Sequence, residues 1–209
     1  MVELKIGLTS VGDIVKKLEG EKKKIQEAVD RTITTAKRDV PPQISQAVRS
    51  VYNISAGEMA KEGQAAAKFA KKVQGPKING VVINGVQLTY TGRVLTPIHF
   101  NMTPKKLPDK KRKYTVRVTI KKGEKKVLVG KYNTPVFLAR ASKTSKVYLP
   151  YQRVGKKRLP IYQIKTVSIP QMIENDTVAE DIQKRIDAVV EKVTKRNFKP
   201  IYRERQLKK

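Results

Sequence analysis

The feature that most constrains this chain is where its hydrophobic period changes. Up to Gly75-Pro76 the apolar residues recur every three to four positions. From Lys77 to Val167 they fall into short alternating runs broken by Gly, Asn and Pro. From Pro170 the period of three to four returns, at Ile173, Val178, Ile182, Ile186, Val189, Val190 and Val193. A β-rich middle between two helical ends needs no crossover helices, so a parallel sheet is not expected. The expected class is α+β: an antiparallel sheet of hairpins packed against a long N-terminal helix and a C-terminal amphipathic helix.

At 209 residues the chain fits one domain of ordinary size. Its expected parts are helical over 1–75, basic and β-rich over 76–168, helical over 169–198, and a polar tail over 199–209. The first helix is expected over 9–38, capped by Ser10 and stopped by Pro41-Pro42. A short second helix starts at Pro42, and Tyr52-Asn53-Ile54 lies in an extended joint. Ser55 and Glu58 make a capping box for a third helix, which carries Met59, Ala66, Phe69 and Val73. In the middle, strands are expected at 81–83 and 86–90 about an Asn84-Gly85 turn, and at 94–100. Further strands fall at 114–120, 127–132, 136–141, 147–149 and 159–167. Ser168 is placed to cap the last helix, with Pro170 in its first turn.

Charge separates these regions. The formal net charge is +28. Residues 75–170 carry 22 basic side chains and two acidic ones, Asp109 and Glu124, whereas the helical ends are nearly balanced. Three loops concentrate the excess: Lys105, Lys106, Lys110, Lys111, Arg112 and Lys113; then Lys121, Lys122, Lys125 and Lys126; then Arg153, Lys156 and Lys157. Such loops suit a polyanion or an acidic protein surface, touching phosphates without reading sequence. The plainer alternative is a solvated, self-repelling face that serves solubility.

Catalytic patterns are lacking. There is no Cys, which excludes disulfides, thiolate metal sites and cysteine nucleophiles. The single His, His99 in TPIHFNM, is read as structural. No P-loop, GxSxG or HExxH pattern occurs, so neither an enzyme nor a cofactor is expected. No apolar run is long enough to span a bilayer.

The order of motifs resembles that of tail completion proteins of tailed bacteriophages, of the minor tail protein Z type. Tyr52-Asn53-Ile54 matches an early Tyr-x-Ile. A Gly-Arg turn (Gly92-Arg93) runs through Leu95 and Phe100 to Thr103-Pro104. Two basic strands flank Lys122-Gly123. Arg158-Leu159-Pro160-Ile161 precedes Ser168, then Pro170-Gln171-Met172. This chain has Thr166-Val167 where that family often has Gly-Pro. The resemblance covers about residues 49–200. It implies a structural virion protein that completes the tail at its head-proximal end, located in the neck region and assembled in the host cytoplasm. It also implies a ring of six copies, contacts with tail terminator or tail tube and with neck or head-completion proteins, and genomic DNA passing through the channel. The alternative carried by charge alone is a basic, non-sequence-specific nucleic-acid-binding protein.

Overall fold

A computed structural model of the chain describes residues 2–6, 9–17, 22–69, 77–78, 81–82, 86–108, 113–123 and 125–207. The fold is α+β, as expected: a long N-terminal helix, small antiparallel sheets, and a C-terminal helix packed on the long helix. In chain order the first elements are β1 (Val2–Ile6), α1 (Thr9–Lys17), α2 (Lys22–Val51), α3 (Ala56–Ala66) and β2 (Ala67–Phe69). The middle holds β3 (Lys77–Ile78), β4 (Val81–Val82), β5 (Val86–Tyr90), a 3-10 turn at Pro97–Phe100, β6 (Arg117–Val118), β7 (Lys126–Val127), β8 (Val136–Arg140), β9 (Tyr148–Arg153) and β10 (Ile161–Gln163). The chain closes with α4 (Ile169–Ile173) and α5 (Asp176–Leu207).

The helix pair α2–α5 is the spine. Ile25, Val29, Ile33, Val40, Ile44 and Val48 line the buried stripe of α2, and Ile182, Ile186, Val190 and Phe198 that of α5. Polar bonds fix the register. Asn197 donates to the Thr32 hydroxyl at 3.1 Å, and Arg185 donates to Gln46 at 3.2 Å, so the two helices run antiparallel. Lys22, Lys23 and Lys24 stand exposed at the start of α2, on the wet side as their interruption of the stripe suggests.

Several boundaries differ from expectation. The first helix is two, and Ser10 lies inside the first turn of α1 rather than ahead of it. Pro41 and Pro42 do not stop α2. Each removes a backbone donor, at a cost of about 3 kcal/mol for an interior proline. The completely buried Val40, Ile44, Ala47 and Val48 around them hold the backbone helical against the rest of the core. The same logic extends α5 through Pro200 to Leu207, where a polar tail was expected: Phe198 is fully buried and Ile201 packs on the core. The C-terminal helical region is itself split at residues 174–175.

The strands pair less locally than their spacing suggests. β5 has the expected bounds, but its partners are β1, unforeseen in the sequence, and β2. β2 takes up Phe69, which was assigned to a helix. β4 pairs with β3 instead of β5, and the Asn84-Gly85 turn lies outside the described residues. The expected strand 94–100 is an isolated Val94–Ser168 bridge followed by the 3-10 turn. That turn ends at Asn101, whose φ of 51° suits a residue type that tolerates left-handed backbone. The strands expected at 114–120 and 127–132 shrink to the two-residue pair β6–β7. β8, β9 and β10 form an antiparallel three-stranded sheet in the order β10-β9-β8, with β10 at an edge.

Candidate functional site: basic loops and an exposed hairpin end

The sequence-marked residues divide sharply by burial. Tyr52, Ile54, Phe100, Ser168, Pro170 and Met172 are core residues, none more than 6% exposed where a value bears on packing. The Tyr52–Ile54 joint is anchored by backbone bonds: Asn53 N–H to Ile120 C=O and Lys122 N–H to Val51 C=O, both 2.8 Å. This pairing pins the Lys121–Gly123 turn to the end of α2 and sets the Lys121 ammonium over the Tyr52 ring, 5.8 Å from its centre. Gly123 has φ +128°, open only to a residue without a Cβ. Burial pushes the Tyr52 phenol above its usual pKa, and that of Tyr90 up to about 12.

Ser168 caps α4 as its spacing implied. Its hydroxyl accepts the Gln171 N–H at 3.4 Å, while its own N–H donates to Gln171 Oε1 at 2.9 Å. Thr166 and Val167, the place where the resembled family has Gly-Pro, pair with Leu95: Thr166 N–H donates to Leu95 C=O at 2.8 Å, and Leu95 N–H to Val167 C=O at 3.2 Å. The nitrogen of residue 167 takes no part in that pairing, so a proline there would serve equally. The Thr166 hydroxyl adds a bond to Leu95 C=O at 2.9 Å.

Two of the three basic loops are brought together. Thr103 and Arg117 exchange two backbone bonds of 2.8 Å, and the Lys125 ammonium donates to the Thr103 hydroxyl. Lys105, Lys106, Lys113, Lys121, Lys122, Lys125 and Lys126 are all exposed. Lys110, Lys111 and Arg112 lie outside the described residues. Between Lys121, Lys122 and Lys126 runs a groove of about 640 Å³ floored by the buried Val118 and Leu128 and bordered by the exposed Val127 and Val129. A basic rim over an apolar floor gives both charge and burial to an acidic chain segment. Gly92, in the loop after β5, is exposed.

The third loop belongs to another sheet, at the end of the β9–β10 hairpin. Lys156, Lys157 and Arg158 are exposed, and the half-buried Arg153 stacks its guanidinium on Phe137 at 5.6 Å. Beside them the apolar Val154, Leu159, Ile161 and Tyr162 are 40%, 66%, 40% and 43% exposed. The charge pattern located this loop, but the exposure of its apolar residues is a tertiary fact.

The tyrosines scattered among the cations do not form an open stacking platform. Tyr132 meets Tyr162 edge to face at 5.9 Å. The Tyr114 hydroxyl accepts the Leu138 N–H at 2.9 Å, and Tyr148 lies under Arg140. His99, read as an isolated structural residue, contacts Glu58 through Nδ1 at 2.7 Å.

No helix among the described residues is long and apolar enough to cross a membrane. Comparison with protein-family models, with curated proteins and with solved structures finds no match to this chain.

Proposed function

We propose that this chain is a structural protein of a tailed-phage virion, a tail completion subunit that forms a homomeric ring, six copies by the resemblance, at the head-proximal end of the tail. The observation that carries the reading is the β9–β10 hairpin end. An edge strand bearing Ile161 and Tyr162 exposed, with the exposed Leu159 in the segment leading into it and within a basic frame, is costly to leave in water and is suited to a protein contact. The same molecule offers a surface of opposite sign: Glu174, Asp176 and Glu180 are exposed where α4 turns into α5. A basic apolar tip meeting the acidic elbow of the next copy is a heterologous contact, the kind that closes into rings. The motif residues fit this division, since the core set builds the subunit and Arg158–Ile161 reaches outward.

In this reading the grooved basic face around Lys121, Lys122 and Lys126 meets acidic segments of neck, tail-terminator or tail-tube proteins, and the phosphates of DNA in transit. The subunit turns over no substrate. A general nucleic-acid-binding role is less well supported, because Tyr114, Tyr132 and Tyr148 are engaged within the protein and no row of exposed aromatics is formed among the described residues.

The test is a pair of measurements. Light scattering and electron microscopy of the purified chain at high protein concentration, with and without tail tubes, should reveal closed rings. Leu159→Asp and Ile161→Asp should leave the subunit folded and abolish them. A monomer that joins no tail, or one that binds DNA tightly at near-physiological salt, would overturn the proposal.

A further inference from the structure

The one histidine of the chain is not alone in space. Glu58 and Glu62 stand one turn apart on α3, at i and i+4, and so share a face. The 3-10 turn brings His99 to that face. Donor atoms of the three side chains all lie within 4.8 Å of one another. His99 Nδ1 sits 2.7 Å from Glu58 Oε2. Neither the helical pattern of α3 nor the reading of His99 as structural signals this meeting, because 41 residues separate Glu58 from His99.

We propose that Glu58, Glu62 and His99 form a binding site for a divalent transition-metal ion of the zinc class. Three observations carry it. The donor set is one imidazole nitrogen and two carboxylates, a combination that suits zinc more than the all-oxygen cations calcium and magnesium. The spacing is nearly closed: ligand atoms around a tetrahedral zinc are about 3.4 Å apart at normal bond lengths, so side-chain rotation of ~1 Å gathers these. The cation that now faces Glu62 is a mobile, solvated one. The Glu62 side chain is only 12% exposed, yet its ion pair is with Arg93 at 3.4 Å, and the Arg93 side chain is 78% exposed. A carboxylate so far removed from water gains more from a fixed divalent ion than from a solvated guanidinium.

Binding follows from these positions. His99 gives up the Nδ1–H bond that the Glu58 carboxylate accepts. That proton passes to solvent where Nε2 is already protonated and otherwise shifts to Nε2, and Nδ1 presents the freed lone pair to the ion. Glu58 turns the same oxygen to the ion, and Arg93 swings into solvent. The fourth position faces a cavity of about 560 Å³ lined by Arg93, Thr96, Ile98, Leu149 and Lys165 among others, where water completes the shell. The ion ties α3 to the segment between β5 and the basic loops, two elements otherwise joined near this point by the His99–Glu58 bond and the Arg93–Glu62 ion pair.

The experiment is a calorimetric titration of chelator-treated full-length protein with zinc sulfate. Wild type is expected to bind one zinc per chain with a dissociation constant on the order of micromolar, and magnesium not at all. Glu62→Gln, which keeps the side-chain shape, and His99→Ala should each weaken zinc by at least about tenfold, as loss of a ligand or its support does in metal sites. Arg93→Ala removes the competing cation and should tighten it several-fold, an effect a purely structural Glu58–His99 bond would not produce. Cobalt added to wild type should give visible d–d bands that Glu62→Gln loses. Zinc binding that is absent, or unchanged in both Glu62→Gln and Arg93→Ala, overturns the proposal.

Discussion

Replacing Gln152 by leucine probes how the sheet that carries the exposed hairpin is held together. Gln152 sits inside β9 and is 1% exposed. Its side-chain carbonyl accepts the Tyr132 N–H at 2.9 Å, and its amide donates to the carbonyls of Tyr132 and Thr134. One side chain thus substitutes for a missing strand, pinning residues 132–134 to the sheet. Leucine has similar bulk and makes none of these bonds. Each is worth ~1 kcal/mol net, and a carbonyl left dry adds ~1 kcal/mol or more. Burying leucine returns about 1–2 kcal/mol, and water reaches part of the half-buried Tyr132 and Thr134. The expected loss is therefore about 2–3 kcal/mol. Urea unfolding should show a lowered midpoint with an unchanged slope, and hydrogen exchange at the Tyr132 amide should accelerate. Gly130 bears on the same amide, since a Cβ there would collide with Gln152 Oε1. Gly130→Ala and Gln152→Leu should accordingly be non-additive. A loss below about 0.5 kcal/mol, a value typical of surface changes, or unaltered Tyr132 protection would refute the clamp.

Two further outcomes are expected. Tyr90 is 3% exposed, and burial raises its pKa to about 12 against about 10 in the unfolded chain. Its contribution to stability is full below pH ~10 and is lost as pH rises through ~12. Alkaline unfolding should thus be gentler in Tyr90→Phe, by ~3 kcal/mol across that window, and superimposable titrations of the two proteins would contradict this. Ser168→Ala removes the hydroxyl from the capping box of α4 and should cost about 1 kcal/mol, read as a lower melting temperature. Gln171→Ala should add little in that background because the two side chains act together, and full additivity would count against the box.

The amphipathic stripes, the Ser168 capping box and the Ser55 hydroxyl that accepts the Glu58 N–H at 3.1 Å were legible along the chain because their causes are local. A helix face or a cap is decided within about four residues. The β8–β9 pair was legible for a similar reason, since only a short polar turn separates its strands. The partners of β5, the strand over Ala67–Phe69 and the 3-10 turn holding His99 depend on segments distant in sequence, which periodicity does not encode.

The sequence by itself determined the α+β class, the concentration of positive charge in residues 75–170 and the point where α4 begins. Each follows from residue type and short spacing. Only the tertiary structure decided that α2 runs on through Pro41-Pro42 and α5 through Pro200, because burial against a partner helix outweighs the missing backbone donors. It also decided which marked residues face outward. Leu159 and Ile161 read like strand core but stand in solvent, Ile161 on the edge strand β10 and Leu159 just ahead of it, and His99 gains two carboxylates because α3 packs beside its turn. Burial and long-range proximity are properties of the packed chain, and they are what turn a list of motif residues into surfaces with chemistry.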